Sequence, residues 1–237
     1  MTGVQTCALP ISLLLALTLV FALCATAFAA NFPQNTFTDV PRSAWYAEAV
    51  DFAQASGLMN GVGDNKFDPN GSVTRAMVAT VLYRLADKPS VSGQRNPFRD
   101  VPNDAGCWFR DAAIWANQVG VTNGDGSADV FSPNKPITRE QMASMIIRFL
   151  LSQAELDESS ANMIKRLDGN MAMMLLRDEF KDADQISSWA RVNVLICKIS
   201  GVMNGDKDGT FRPQATLSRA ECAQTFLNLY KIGTESN

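Results

Sequence analysis

The chain has 237 residues, 46% of them hydrophobic and 19% charged, a balance that supports a sizeable folded core. Its net charge is −3 with Lys and Arg scattered, so no basic stripe points to nucleic acid and no polybasic helix to an anionic membrane surface. It contains no histidine, which excludes Ser-His-Asp and Cys-His catalysis, His-ligated zinc and any imidazole base, and leaves paired-carboxylate hydrolysis open.

Residues 1–10, MTGVQTCALP, carry no Lys or Arg and resemble translated adapter sequence, so they are read as foreign to the fold. Residues 11–30 are almost wholly apolar and end in Ala27-Phe28-Ala29, the small residues a signal peptidase needs. Residues 1–29 are therefore expected to be an export signal, with no membrane contact after cleavage; a retained membrane helix is the alternative. The remaining cysteines, Cys107, Cys197 and Cys222, have irregular spacing and suggest core-facing apolar side chains rather than a disulfide framework.

Three copies of one pattern follow, at 37–87, 98–150 and 180–230. Each opens on Phe-x-Asp (Asp39, Asp100, Asp182) and then carries a tryptophan (Trp45, Trp108, Trp189). Twelve residues after each tryptophan comes a glycine: Gly57, Gly120 or Gly201. An Asn-Gly loop and Phe-x-Pro come next, and eight residues after the loop Phe stands an arginine: Arg75, Arg139 or Arg219. A fixed period of this size signals a repeat architecture.

Each copy reads as helix, loop, helix. Trp45, Ala49, Phe52 and Ala53, and their counterparts Trp108, Ala112, Trp115 and Ala116, share one helical face, which predicts tryptophans in the core. Thr74, Thr138 and Ser218 are N-caps of the second helices; Thr138 with Gln141 and Ser218 with Glu221 read as capping boxes, which Met77 breaks in the first copy. One helical pair buries too little surface to be secure alone. The expected fold is therefore all-α, with second helices packed together around a pseudo-three-fold axis. Residues 151–179 are a connector, predicted to carry a helix with Met163, Ile164, Leu167, Met171, Met174 and Leu175 on one side.

The third loop, NGDKDGTFRP, places Asn204, Asp206, Asp208 and Gly209 at calcium-loop spacing. Ala215 stands where a bidentate Glu should close the shell, and the oxygen ligands change in the other two copies. The loops are read as turns; no metal and no cofactor is expected.

The order Phe-x-Asp-Val, Trp, Asn-Gly, Phe-x-Pro and Thr-Arg-Ala-Glu resembles the S-layer homology (SLH) domain, here with VTRAM, ITREQ and LSRAE as the last motif. The resemblance covers about 155 residues. It implies a three-pronged helical pseudo-trimer that holds an exported protein at the bacterial cell wall, gripping a secondary cell wall polysaccharide, often pyruvylated, in grooves between prongs. It points to Arg75, Arg139 and Arg219 as groove residues.

The residues add a reason of their own. An arginine in the first turn of a helix opposes the helix dipole at about 0.3–1 kcal/mol. Three repetitions suggest an anion held by the guanidinium and by free N–H groups at the helix start. Salt bridges to Asp39, Asp100 and Asp182 are the competing account. The expected ligand-binding set is thus Arg75, Arg139, Arg219, Thr74, Thr138, Ser218, Asp39, Asp100, Asp182, Trp45, Trp108 and Trp189. The leading function is a non-catalytic wall anchor. An enzyme, a self-assembling surface-layer protein and the anchor fragment of a longer exported protein are the competing readings.

Overall fold

A computed structural model describes residues 32–154 and 167–235, so the expected export signal and the predicted positions Met163 and Ile164 lie outside the described residues. The fold is helical, and no strand forms among the described residues. In chain order the helices are α1 (Ala47–Ala55), α2 (Arg75–Leu85), α3 (Arg110–Gln118), α4 (Arg139–Gln153), α5 (Gly169–Glu179), α6 (Arg191–Ile199) and α7 (Arg219–Glu235). A 3-10 turn, Ala183–Gln185, precedes α6. None of these helices is long and apolar enough to cross a membrane.

The local signals act as expected at the second helices. Thr74 Oγ1 accepts from the Met77 N–H at 3.4 Å. Thr138 and Gln141 close a full capping box. Ser218 and Glu221 close another, with Ser218 N–H donating to Glu221 Oε2 at 2.8 Å and Glu221 N–H to Ser218 Oγ at 3.2 Å. Gly57, Gly120 and Gly201 end the first helices in left-handed backbone, which a side chain would strain.

Two expectations change. The helices of one copy do not pack on each other: α2 packs on α3, α4 on α6 and α7 on α1, so each second helix takes the first helix of the following copy, and the last takes that of the first. Between second helices, α2 packs on α4, and among the described residues α4 reaches α7 through the Arg139–Glu221 ion pair. The Asn-Gly loop joining the two helices of a copy carries them apart, and the apolar faces find partners across copies. In the connector, Asp168 caps α5 through Asn170 N–H (2.9 Å) and Met171 N–H (2.8 Å), so the helix begins afresh at Gly169. That register buries Ala172, Met173 and Leu176 against α6 and leaves Met171 and Met174 exposed, not the Met171–Met174–Leu175 side expected.

The copies are sewn together by backbone. Val73 N–H donates to Leu217 O (3.0 Å), Leu217 N–H to Ile137 O (3.3 Å), and Ile137 N–H to Val73 O (2.9 Å), closing a ring of three bonds. Val73, Ile137 and Leu217 are themselves buried. Such bonds among buried groups hold the three copies in one unit, because an unpaired backbone group there costs about 1–3 kcal/mol.

Candidate functional site

The three loops are built alike. Asp39 accepts from the N–H groups of Phe67 and Asp68, both at 2.8 Å. Asp100 takes Phe131 (2.8 Å) and Ser132 (2.7 Å), and Asp182 takes Phe211 and Arg212, both at 2.7 Å. Each second residue of these pairs sits at positive φ, so the carboxylate holds a strained corner. The opening phenylalanine packs on the loop phenylalanine, with ring centroids 5.6 Å (Phe37–Phe67), 5.2 Å (Phe98–Phe131) and 5.3 Å (Phe180–Phe211) apart. A Cβ on Gly205 would lie 2.6 Å from Phe180 Cε1 and 2.7 Å from Thr210 O, which is why glycine follows Asn204.

Each loop then receives the arginine of the preceding copy. Arg75 Nε donates to Phe131 O at 2.8 Å, Arg139 Nε to Phe211 O at 2.6 Å and Arg219 Nε to Phe67 O at 2.7 Å. Each guanidinium also lies over the ring of that phenylalanine, 5.4, 5.1 and 4.6 Å from the centroid. The three arginines are 4%, 6% and 7% exposed, so they are part of the core. Burial pulls each guanidinium pKa down from its ordinary value, opposed by nearby carboxylates such as Asp125 at Arg75 and Glu221 at Arg139.

This geometry corrects both accounts of the arginines. The helix-start N–H groups are not free: Arg75, Arg139 and Arg219 donate theirs to Lys135 O, Ala215 O and Gly71 O, and Ala76, Glu140 and Ala220 theirs to Pro133 O, Pro213 O and Pro69 O. The third N–H of each helix goes to its cap. Carbonyls of the neighbouring copy thus take the helix-start N–H groups that were expected to be free. Nor do the arginines pair with Asp39, Asp100 or Asp182; among the described residues the ion pair they form is Arg139 Nη1 to Glu221 Oε1 at 3.4 Å.

The tryptophans are a second correction. Trp45, Trp108 and Trp189 are 63%, 59% and 50% exposed. Trp45 and Trp108 stand before the first residues of α1 and α3, so the helical face expected to bury them does not include them. Trp115, by contrast, is buried against Tyr83 and Phe149. Cys197 and Cys222 are buried as expected, with burial pushing the Cys222 thiol up to about 12; Cys107 is half-buried.

Two cavities bring the predicted residues together. One, of about 370 Å3, is lined by Arg75, the loop Val121–Gly126, a face of α4 (Gln141, Ser144, Met145, Arg148) and Trp189. The other, of about 220 Å3, is lined by Arg139, the loop Val202–Asp206, a face of α7 (Glu221, Gln224, Thr225, Asn228) and Trp45. Each takes its arginine from one copy, its loop and helix from the next and its tryptophan from the remaining one. Thr74, Thr138, Ser218, Asp39, Asp100 and Asp182 line neither; their oxygens are engaged in caps and loop corners. The helix-face residues escaped the reading of the sequence, although Gln141, Ser144 and Arg148 are polar breaks at i, i+3 and i+7 in an otherwise apolar run, a visible sign of a wet face.

In the third loop, Arg212 Nε pairs with Asp206, and Asp208 Oδ1 accepts from Thr210 N–H at 3.0 Å. These contacts belong to a turn.

The sequence matches the S-layer homology domain in three tandem stretches, 36–77, 97–143 and 179–223. It is 28% identical to an amylopullulanase of Thermoanaerobacterium thermosulfurigenes over 206 residues, 85% of this chain and 10% of that protein. It is 25% identical to the S-layer protein sap of Bacillus anthracis over 203 residues, 85% of this chain and 22% of that protein. It is also 25% identical to a cellulosome-anchoring protein of Acetivibrio thermocellus over 188 residues, 77% of this chain and 36% of that protein. The chain thus spans from a tenth to about a third of the length of these relatives. Matched over more than half of its residues, the chain belongs to the S-layer homology domain family, whose exported, wall-attached modules anchor surface proteins.

Proposed function

We propose that this chain is a non-catalytic anchor that binds a secondary cell wall polysaccharide, pyruvylated in its acidic residues, in the grooves between copies. The observation that carries the reading is the pair of cavities in which a buried arginine, an Asn-Gly loop and an exposed tryptophan from three different copies converge. An exposed indole is a flat apolar platform with a polar edge, the surface on which a sugar ring stacks. Around it stand amide, hydroxyl and guanidinium groups suited to sugar hydroxyls and to a carboxylate. Arg75, Arg139, Trp45 and Trp189, which line the two cavities, are the assigned ligand residues; Arg219 and Trp108, expected in the same role, line neither. Thr74, Thr138, Ser218, Asp39, Asp100 and Asp182 act behind them by holding helix starts and loop corners.

The matched relatives include enzymes in which the shared region is a small part of the protein, which favours anchoring over catalysis for this region. The protein should sediment with purified peptidoglycan carrying its polymer and stay in solution with wall stripped of polymer by acid. Equal sedimentation with both preparations would overturn the reading.

A further inference from the structure

The two cavities share a plan and differ in charge. Building on the glycan-binding reading above, we propose that they divide the ligand: the Arg75 groove takes the carboxylate-bearing sugar, and the Arg139 groove takes uncharged sugar. Arg148 and Glu221 are the residues that set this difference.

The Arg75 groove is lined by two arginines, Arg75 and Arg148, against one carboxylate, Asp125. That carboxylate is already held by Lys135 Nζ at 2.9 Å. Arg75 uses Nε on Phe131 O and Nη2 on Thr122 Oγ1 (3.2 Å) and Gly124 O (3.1 Å), while Nη1 makes no hydrogen bond among the described residues. Arg148 lies nine residues on from Arg139, seven from Gln141, on the face of α4 that walls the groove, and forms no ion pair among the described residues. A carboxylate entering here meets two guanidinium groups in a partly dry site, where charged hydrogen bonds are strong.

The Arg139 groove reverses the balance. Glu221 replaces Gln141, Asp206 stands where Asp125 does and Asn228 replaces Arg148, so the lining holds one arginine and two carboxylates, and Arg212 beside it pairs with both carboxylates and leaves no guanidinium unmatched. Glu221 Oε1 lies 3.4 Å from Arg139 Nη1 and 3.1 Å from Arg212 Nη2. An incoming carboxylate would have to displace Glu221 and approach two like charges. Gln224, Thr225 and Asn228 instead offer hydrogen bonds to neutral hydroxyl and amide groups.

The test uses short oligosaccharides released from the sedimented wall polymer, native or with their carboxyl groups reduced to alcohols, measured by calorimetry. Carboxyl reduction should weaken binding about tenfold or more. Arg148→Gln should weaken the native fragment by a like factor and leave the reduced one unchanged, with Arg148→Lys retaining most of the affinity. Glu221→Gln keeps a capping residue that already works at Gln141, and should raise the stoichiometry for the acidic fragment from one to two. Equal affinity for native and reduced fragments, or no gain of a site in Glu221→Gln with an unchanged melting temperature, would overturn the division of grooves. Such a result with intact wall sedimentation would leave the anchoring reading standing, whereas loss of sedimentation would remove both.

Discussion

The inner and outer halves of the same arginine-centred unit behave differently. Inside, the three copies agree: the ring of Val73, Ile137 and Leu217, the carboxylate-held loop corners and each Nε bonded to a loop carbonyl are the same three times. Outside, they diverge: the position two residues after the arginine is Met77, Gln141 or Glu221, and the position nine residues after it is Arg84, Arg148 or Asn228. The contrast teaches that the repeated part of the motif serves assembly; under the proposed function, the varied part serves recognition. The arginine belongs to both, because its planar head can bond several acceptors at once and still present an edge to the groove.

The comparison breaks most severely if the inner half proves dispensable. Phe211→Ala removes a fully buried ring that packs on Phe180 and lies under Arg139, and should cost about 3–5 kcal/mol. A melting temperature within a few degrees of the parent would refute the view that the loop is core. Arg219→Ala leaves the carbonyls of Phe67 and Asn60 without that donor and should cost about 2–4 kcal/mol of stability. Denaturant unfolding separates this outcome from that of a pure ligand residue, whose removal would leave the midpoint in place.

Trp189→Ala addresses the outer half. The side chain is half exposed, so stability should change by less than about 0.5 kcal/mol. Wall binding should fall by at least about 1 kcal/mol, in the manner of an aromatic anchor. Unchanged sedimentation would remove the tryptophan from the site.

A smaller effect concerns acid. Asp51 is buried; burial raises its pKa, but the bidentate Arg42 pair and the hydrogen bonds from Asn35 outweigh this and hold it below the usual carboxylate value. Asp39 is likewise lowered by the N–H groups of Phe67 and Asp68, against burial. A depressed folded-state pKa gives stability that is present above the unfolded value, near 4, and lost as pH falls through the folded one. Melting temperature should therefore fall below about pH 4, and Asp51→Asn should flatten that fall while lowering stability at pH 7. A pH profile identical in parent and variant would contradict this. Millimolar calcium should give the smallest change of all, because Asp206 already faces Arg212; a rise of many degrees reversed by EDTA would restore the calcium reading.

Helix starts, capping boxes, helix-ending glycines and the three-copy period could all be read from the sequence, because each depends on residues a few positions apart. The tryptophan position could not: helical spacing gave Trp45 and Trp108 a place on a buried face, but the helices begin two residues later. The arginine partners also escaped, because the Asp residues nearest in the motif were spent on the loop's own N–H groups, and the carbonyls that bind the arginines come from the following copy. The polar face of α4 was written in the sequence, yet nothing local told whether Gln141 and Arg148 faced water or a groove.

By itself, then, the sequence determined the helical class, the three copies, the caps and turns, and the residue types at each arginine. Only the tertiary structure decided which copy each arginine serves, which helices pair and which sides of them remain wet. The physical reason is range. Propensity, capping and turn chemistry act within a few residues, whereas the ring at Val73, Ile137 and Leu217 and the bonds from Arg219 to Phe67 and Asn60 join residues more than sixty positions apart.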